Sequence, residues 1–396
     1  MPKSRLSINI HGQAISSGQE SHLMEWLQEL DPTSVLVMDN EALARRILRT
    51  FPQCIVIHRN YGVTKGDDDV YRRVSPQQWM DLRAKEADTG LYLYTTNEPG
   101  FDRDVITWHV ALMEEAVKRN VRLVVGNWSV GTPQAEAWGI ARRLLDAINA
   151  HPDQFILGLH EYGAGVMTSG LYGGYPDNAG VQPGTPGGYN LVPPENWPKD
   201  ASKITRFHCG RFKFLLQYCE QAGIRPPRII VTEHGMDDMS DIGGWLSKLK
   251  VKQGYPNIRG YKTLEPQWAD WYGRLGWSME RAYFEQLKWA DKVIYQGSPV
   301  IGQLIYCYGH VDAKWEQFDI QYAAELQALL ADYADTMKPA PAPIPTPQPA
   351  PIPTPVPVPT PAPEKLYDFT LTFGGLPKEL ADTLSKHLTI ELKEKK

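Results

Sequence analysis

Cysteine is scarce, with four in 396 residues, and none falls in a CxxC or His-rich spacing that would hold zinc. Cys54 and Cys307 lie in expected strands. Cys209 and Cys219 lie in one expected helix, ten residues apart and too distant to bridge along it. All four read as reduced core thiols. Basic runs are missing as well. The formal net charge is −5, which leaves nucleic acid no electrostatic footprint. No apolar run is long enough to span a membrane. Lys3 and Arg5 are followed at once by Leu6-Ser7-Ile8-Asn9-Ile10, too short for the core of a secretory signal, so this segment is expected to be the first strand. After it comes Gly12-Gln13-Ala14-Ile15. That is not a glycine-rich phosphate loop, which counts against an open doubly wound sheet.

What is present is a repeated alternation. Eight short runs rich in Val, Ile and Leu read as strands: Leu6–His11, Ser34–Met38, Cys54–His58, Leu91–Tyr94, Val121–Gly126, Phe155–His160, Arg228–Thr232 and Ile301–Tyr306. Many are apolar on both faces, as parallel strands buried on both sides should be. Between them lie helical patterns with apolar residues three and four apart, as over Val105–Arg119, Pro133–Ala150, Lys203–Ala222, Met279–Trp289 and Trp315–Met337. Strand and helix alternating eight times predict a (β/α)8 TIM barrel over residues 1–337. Hydrophobic residues make up 42% and charged residues 22%, enough for a sizeable core.

Lys338–Glu364 changes composition sharply, to Pro at nearly every second position. Such a segment adopts extended polyproline conformation and acts as a stiff linker. Beyond it, residues 365–396 read as a small β-α-β module: strand Leu366–Phe373, helix Lys378–His387, strand Leu388–Lys393. It is too small to be stable alone. It is expected to mediate self-association or tethering, with a mere tail as the alternative. The Pro/Thr linker suits extracellular, surface or phage-associated action.

Two strings at strand ends carry chemistry: Asn97-Glu98-Pro99 after the fourth strand and Thr232-Glu233-His234-Gly235 after the seventh. In a barrel, strands end at the face where βα loops build the site. Either glutamate alone reads best as a turn or a salt-bridged rim residue. Together they are the pair that cleavage of a glycosidic bond needs, one acid to protonate the leaving oxygen and one carboxylate behind the anomeric carbon. The 12 Trp and 19 Tyr could stack on sugar rings, although many will be core. The loops over Tyr162–Ala201 and Met236–Gly273, the latter with Trp245, Tyr255, Tyr261, Trp268 and Trp271, are long enough to wall a cleft. Packing on one another is the alternative.

This arrangement resembles the retaining glycoside hydrolases of clan A, barrel enzymes such as cellulases, mannanases, xylosidases and β-glycosidases. The resemblance implies that Glu98 is the general acid/base and Glu233 the nucleophile, about 5–5.5 Å apart, with a carbohydrate substrate and no cofactor. It implies further that Asn97 binds the sugar's 2-hydroxyl. By the same analogy Tyr162 of His160-Glu161-Tyr162 orients Glu233 while His160 lines the cleft, and His58-Arg59 sits where a substrate-binding His is often kept. Two places depart from the clan's pattern. Strand two ends in Met38-Asp39-Asn40 without an Arg, so Arg59 is the substitute. Strand eight ends in Tyr306-Cys307-Tyr308 where a Trp often forms the sugar floor, leaving Tyr308 as the candidate. Trp128 is a candidate platform, with core packing as the alternative. Strand alternation turns Glu161 away from the side His160 and Tyr162 face. A carbohydrate-binding barrel without turnover stays open. So does a metal-assisted or lyase barrel, which would need a His/Asp cluster at strand ends that the sequence does not offer.

Overall fold

The computed structural model describes residues 4–64, 66–87, 90–129, 132–133, 135–164, 209–237, 260–264 and 273–337. Eight strands, β1 Leu6–His11, β2 Ser34–Met38, β3 Ile55–Arg59, β4 Tyr92–Tyr94, β5 Arg122–Trp128, β6 Phe155–Ala164, β7 Ile229–Asp237 and β8 Val300–Tyr308, close in sequence order into one barrel. Every pairing is parallel, β8 to β1 included. A principal helix follows each strand: α1 Ser17–Leu30, α2 Glu41–Thr50, α3 Pro76–Leu82, α4 Arg103–Lys118, α5 Arg142–Ala150, α6 Phe212–Ala222, α7 Met279–Trp289 and α8 Ala324–Thr336. The predicted (β/α)8 TIM barrel is therefore the fold.

Helix boundaries follow capping chemistry. Ser75 accepts from the Gln78 N–H while Gln78 reaches back to the Ser75 N–H, and Pro76 opens α3. Asp102 caps α4 and Ser278 caps α7 by accepting from the Val105 and Arg281 N–H groups respectively. The expected helix at Pro133–Ala150 is split into a 3-10 segment, Ala135–Ala141, and α5. Cys209 precedes α6, and Cys54 precedes β3 rather than lying in it. None of the four cysteines is in a disulfide, and all four are buried.

Strand alternation sorts side chains into two layers. Leu36, Ile57, Tyr92, Tyr94, Val124, Ile156, Ile230 and Leu304 fill the barrel interior. Their strand neighbours, such as Val35, Val56, Leu123, Leu157 and Val231, pack outward against the helices. No described helix is long and apolar enough to cross a membrane. The linker 338–364 and the module 365–396 lie outside the described residues, as do most of the two long loops with Trp245, Tyr255, Trp268 and Trp271.

Three register shifts decide which side chains reach the cleft. On β7, Val231 pairs with Leu159 but Glu233 pairs with His160, so Thr232 is an extra residue. Ile230 points inward, and plain alternation would send Glu233 out to the helices. The bulge at Thr232 reverses the parity and brings it in. On β5, Gly126 pairs with Gly158 and Trp128 with Leu159, leaving Asn127 as the extra residue and turning Trp128 outward. On β8, Tyr306 pairs with Asn9 and Tyr308 with Ile10, so Cys307 is extra and Tyr308 turns outward.

Candidate active site

The mouth at the C-terminal ends of the strands gathers Glu98, Asn97, Arg59, His160, Tyr162 and Glu233. Glu98 follows β4 on a left-handed backbone, φ 43°, and its N–H donates to the Asn127 carbonyl at 3.0 Å. Ligating atoms of Glu98, His160 and Glu233 all lie within 4.8 Å of one another. His160 Nδ1 stands 3.0 Å from Glu98 Oε1 and 3.5 Å from Glu233 Oε2, between the two carboxylates. Tyr162 Oη donates to Glu233 Oε2 at 2.9 Å, and Arg59 Nη1 donates to Oε1 at 3.4 Å.

A second layer holds these groups. Arg59 makes a two-point pair with Asp67 at 2.7 and 3.0 Å and lies 5.0 Å over the Tyr94 ring, so its planar head is fixed before any ligand arrives. Tyr94 Oη donates to Asn97 Oδ1 and meets His160 Nε2, each at 3.0 Å. With that hydroxyl hydrogen spent on Asn97, the imidazole must donate from Nε2 as well as from Nδ1 to Glu98. The network is therefore satisfied by an imidazolium. Asn97 Nδ2 donates to Asp68 at 3.1 Å.

Electrostatics separate the two carboxyls. Burial raises Glu233, helped by the Glu98 charge and opposed by His160, Arg59 and the Tyr162 hydrogen bond, with a net rise. Burial also acts upward on Glu98, but the hydrogen bond and charge of His160, with Arg59, hold it below the ordinary carboxylate range. Burial acts downward on His160, yet Glu233 and Glu98 together raise it. In the unliganded cleft Glu98 is thus the readily ionised partner, the reverse of what an acid at 98 and an ionised nucleophile at 233 require. Exposure explains it: the Glu98 side chain is 44% exposed and that of Glu233 only 13%.

Glu98, His160 and Glu233, brought together from the ends of β4, β6 and β7, also form a group able to ligate a metal ion. The Arg59 guanidinium, 3.4 Å from Glu233, opposes a cation there.

Three expected site residues lie elsewhere. His58 faces away from the cleft because Arg59 takes the inward position; its Nδ1 is 2.5 Å from Glu86 Oε2, in a buried cluster with Arg83. Trp128 is fully buried, edge-on to Phe101 and Trp138, and offers no platform. Tyr308 is fully buried and stacks on Trp26, ring centres 5.7 Å apart, outside the barrel. Glu161 points outward as alternation predicts. It accepts from the Gly210 and Phe212 N–H groups and from Tyr295 Oη, anchoring the start of α6. Tyr261, expected in a cleft wall, is buried against Tyr283.

Sequence reasoning missed Asp67, Tyr94, Tyr306 and the role of His11. The run Asp67-Asp68-Asp69 after β3 was the available signal for a partner to Arg59. Tyr306 sits edge-on to His11, Tyr162 and Trp315, in the strand-eight place assigned from sequence to Tyr308. His11 is buried, neither ring nitrogen has a protein partner, and burial with the Arg59 charge lowers its pKa to about 4. A neutral imidazole with both nitrogens unspent is available to a ligand.

No family model matches the chain, and no curated protein matches it. Among solved structures it is similar to a family 1 β-glucosidase from Thermotoga maritima, at 10% identity and TM-score 0.28, over 85% of this chain and 98% of that one. A second is a β-glucosidase from Thermotoga maritima in complex with cyclophellitol, at 11% identity and TM-score 0.26, over 80% and 85%. The fold assignment rests on the closed barrel of this chain.

Proposed function

We propose that the protein is a retaining O-glycoside hydrolase acting on a glycan or glycoside, with Glu98 as acid/base and Glu233 as nucleophile. The observation that carries this reading is the convergence of the two carboxyls from β4 and β7. An oxygen of each lies within 4.8 Å of the other, which suits the retaining spacing of about 5–5.5 Å between carboxyl groups.

The reversed ground-state protonation is resolved by substrate binding. A sugar in the cleft desolvates the exposed Glu98 far more than the already buried Glu233, so Glu98 gains proton affinity. His160 Nδ1, in reach of both, hands its proton to Glu98 and takes one from Glu233. Glu98 is left protonated, Glu233 ionised, and the imidazole unchanged. Glu98 then protonates the departing oxygen as Glu233 closes on the anomeric carbon. Arg59 and Tyr162 hold the attacking carboxylate in place, and Asn97 is placed for the 2-hydroxyl. In the second half Glu98 deprotonates the incoming water, which opens the glycosyl ester. Residues 338–364 act as a spacer that tethers this barrel through the module 365–396.

The test is hydrolysis of a panel of aryl glycosides and polysaccharides by wild type, Glu98→Gln and Glu233→Gln, with and without a chelator. Loss of turnover in both variants, insensitivity to the chelator, and rescue of Glu233→Ala by azide with an inverted glycosyl azide are the expected results. Equal activity in wild type and both variants refutes the site, and activity lost only to the chelator refutes the mechanism. Binding without hydrolysis across the panel would favour a carbohydrate-binding barrel.

A further inference from the structure

A groove of about 610 Å³ lies outside the barrel between α1 and the start of α8. Its floor includes Trp26, Tyr308 and Gln321, all buried. Two polar ends on that floor have no partner: Tyr308 Oη and Gln321 Nε2. Tyr308 is fully enclosed and Gln321 is 7% exposed. The unspent amide donor of Gln321, which keeps some exposure on the groove floor, is expected to be met by something that enters it.

The rim supplies the rest. Tyr322 is 73% exposed, yet its hydroxyl is held at 2.8 Å by Gln19 Nε2. Gln19 is itself fixed by the Ser16 N–H and hydroxyl at the start of α1. An exposed ring pinned in this way is ordered before binding. Glu25 and Glu29, one helical turn apart on α1, line the same groove. Their carboxylates repel anions and accept from hydroxyls. A cation would satisfy them but leave the Gln321 donor without an acceptor. A neutral polyhydroxylated ligand satisfies all three sets: an acceptor for Gln321, donors for the carboxylates, and an apolar face for Tyr322.

We infer that this groove is a saccharide-binding site separate from the cleft, taking a neutral oligosaccharide. The inference does not depend on whether the cleft is catalytic. Titration calorimetry on the full chain carrying Glu98→Gln and Glu233→Gln, with cellohexaose, xylohexaose, mannohexaose and maltohexaose as probes, tests it. At least one probe should bind at the groove, and Tyr322→Ala should weaken that event about tenfold, the loss expected for one well-packed ring contact. Glu25→Ala with Glu29→Ala should weaken it too, since neither residue lies near the cleft. Both sets of substitutions are at exposed positions and leave the buried floor intact. Absence of binding by all four probes, or binding indifferent to both sets, overturns the inference. Tight binding of spermine lost with Glu25→Ala and Glu29→Ala would overturn the neutral class in favour of a polycation.

Discussion

Replacing Arg59 with methionine removes the positive charge that stands between Asp67 and Glu233. At 3.4 Å and an effective dielectric of about 20, that charge and the Glu233 carboxylate attract by about 5 kcal/mol. If half of this is lost to solvent and relaxation, ionised Glu233, the proposed nucleophile, is destabilised enough to lower kcat/KM at pH 7 about a hundredfold. Without Arg59 the Glu233 carboxyl, already raised by burial, rises further, so the acidic limb of the pH–rate profile moves to higher pH. The single variant also strands Asp67, a buried carboxylate, at a cost of about 3–5 kcal/mol in stability. Pairing it with Asp67→Asn removes the stranded charge. The double variant should recover most of the melting temperature while keeping the low activity and the displaced limb. A double variant with near wild-type stability and an unmoved acidic limb would refute the assignment of Arg59 to the nucleophile.

Glu86 has its pKa lowered to about 2 from 4.5, burial being outweighed by hydrogen bonds and charge from His58 and Arg83. It should therefore contribute about 3 kcal/mol that is present above pH 4.5 and lost as pH falls through 2. Urea denaturation followed across that window should show the loss, and Glu86→Gln should flatten it. Gly158→Ala puts a methyl 2.8 Å from Asn127 Cγ and 2.9 Å from Val124 Cγ1, overpacking that costs about 1–3 kcal/mol, read as a lower melting temperature; a melting curve equal to wild type would contradict the packing. Trp128→Phe should lower stability by about 1–3 kcal/mol with KM unchanged, since the indole sits among Phe101 and Trp138. A raised KM at normal stability would restore it as a sugar platform.

The barrel was legible because its inward and outward layers are both apolar in eight successive strands, and only a parallel sheet covered on both faces asks for that. The pairing of Glu98 with Glu233 was legible for a related reason, since strand ends share one face. Local parity was not. Trp128 was a candidate platform, with core packing as the alternative, and Tyr308 a candidate sugar floor, both from their places at strand ends; the extra residues Asn127 and Cys307 turned each outward. The same kind of insertion at Thr232 brought Glu233 in. Bulges of this sort depend on how two neighbouring strands match in length, a property of pairs that one strand's sequence does not display. His58 was misplaced by one residue, which in a strand is the whole difference between cleft and helix layer. Asp67 lay hidden because its partner is eight positions back across a turn.

Consecutive residues of β6 serve opposite sides of the barrel wall: His160 and Tyr162 hold the carboxyls of the mouth, while Glu161 ties down the start of α6. Substitutions here can be graded, but changes of length cannot. Deleting or inserting a single residue upstream in β6 would carry Glu161 into the mouth as a third acid and expel both partners of Glu98 and Glu233 in the same step. Variation by insertion is thus open to the loops and closed to this strand. A library that diversifies loop lengths around the mouth will keep the barrel working, whereas one that shifts the frame of β6 forfeits site and helix anchor together.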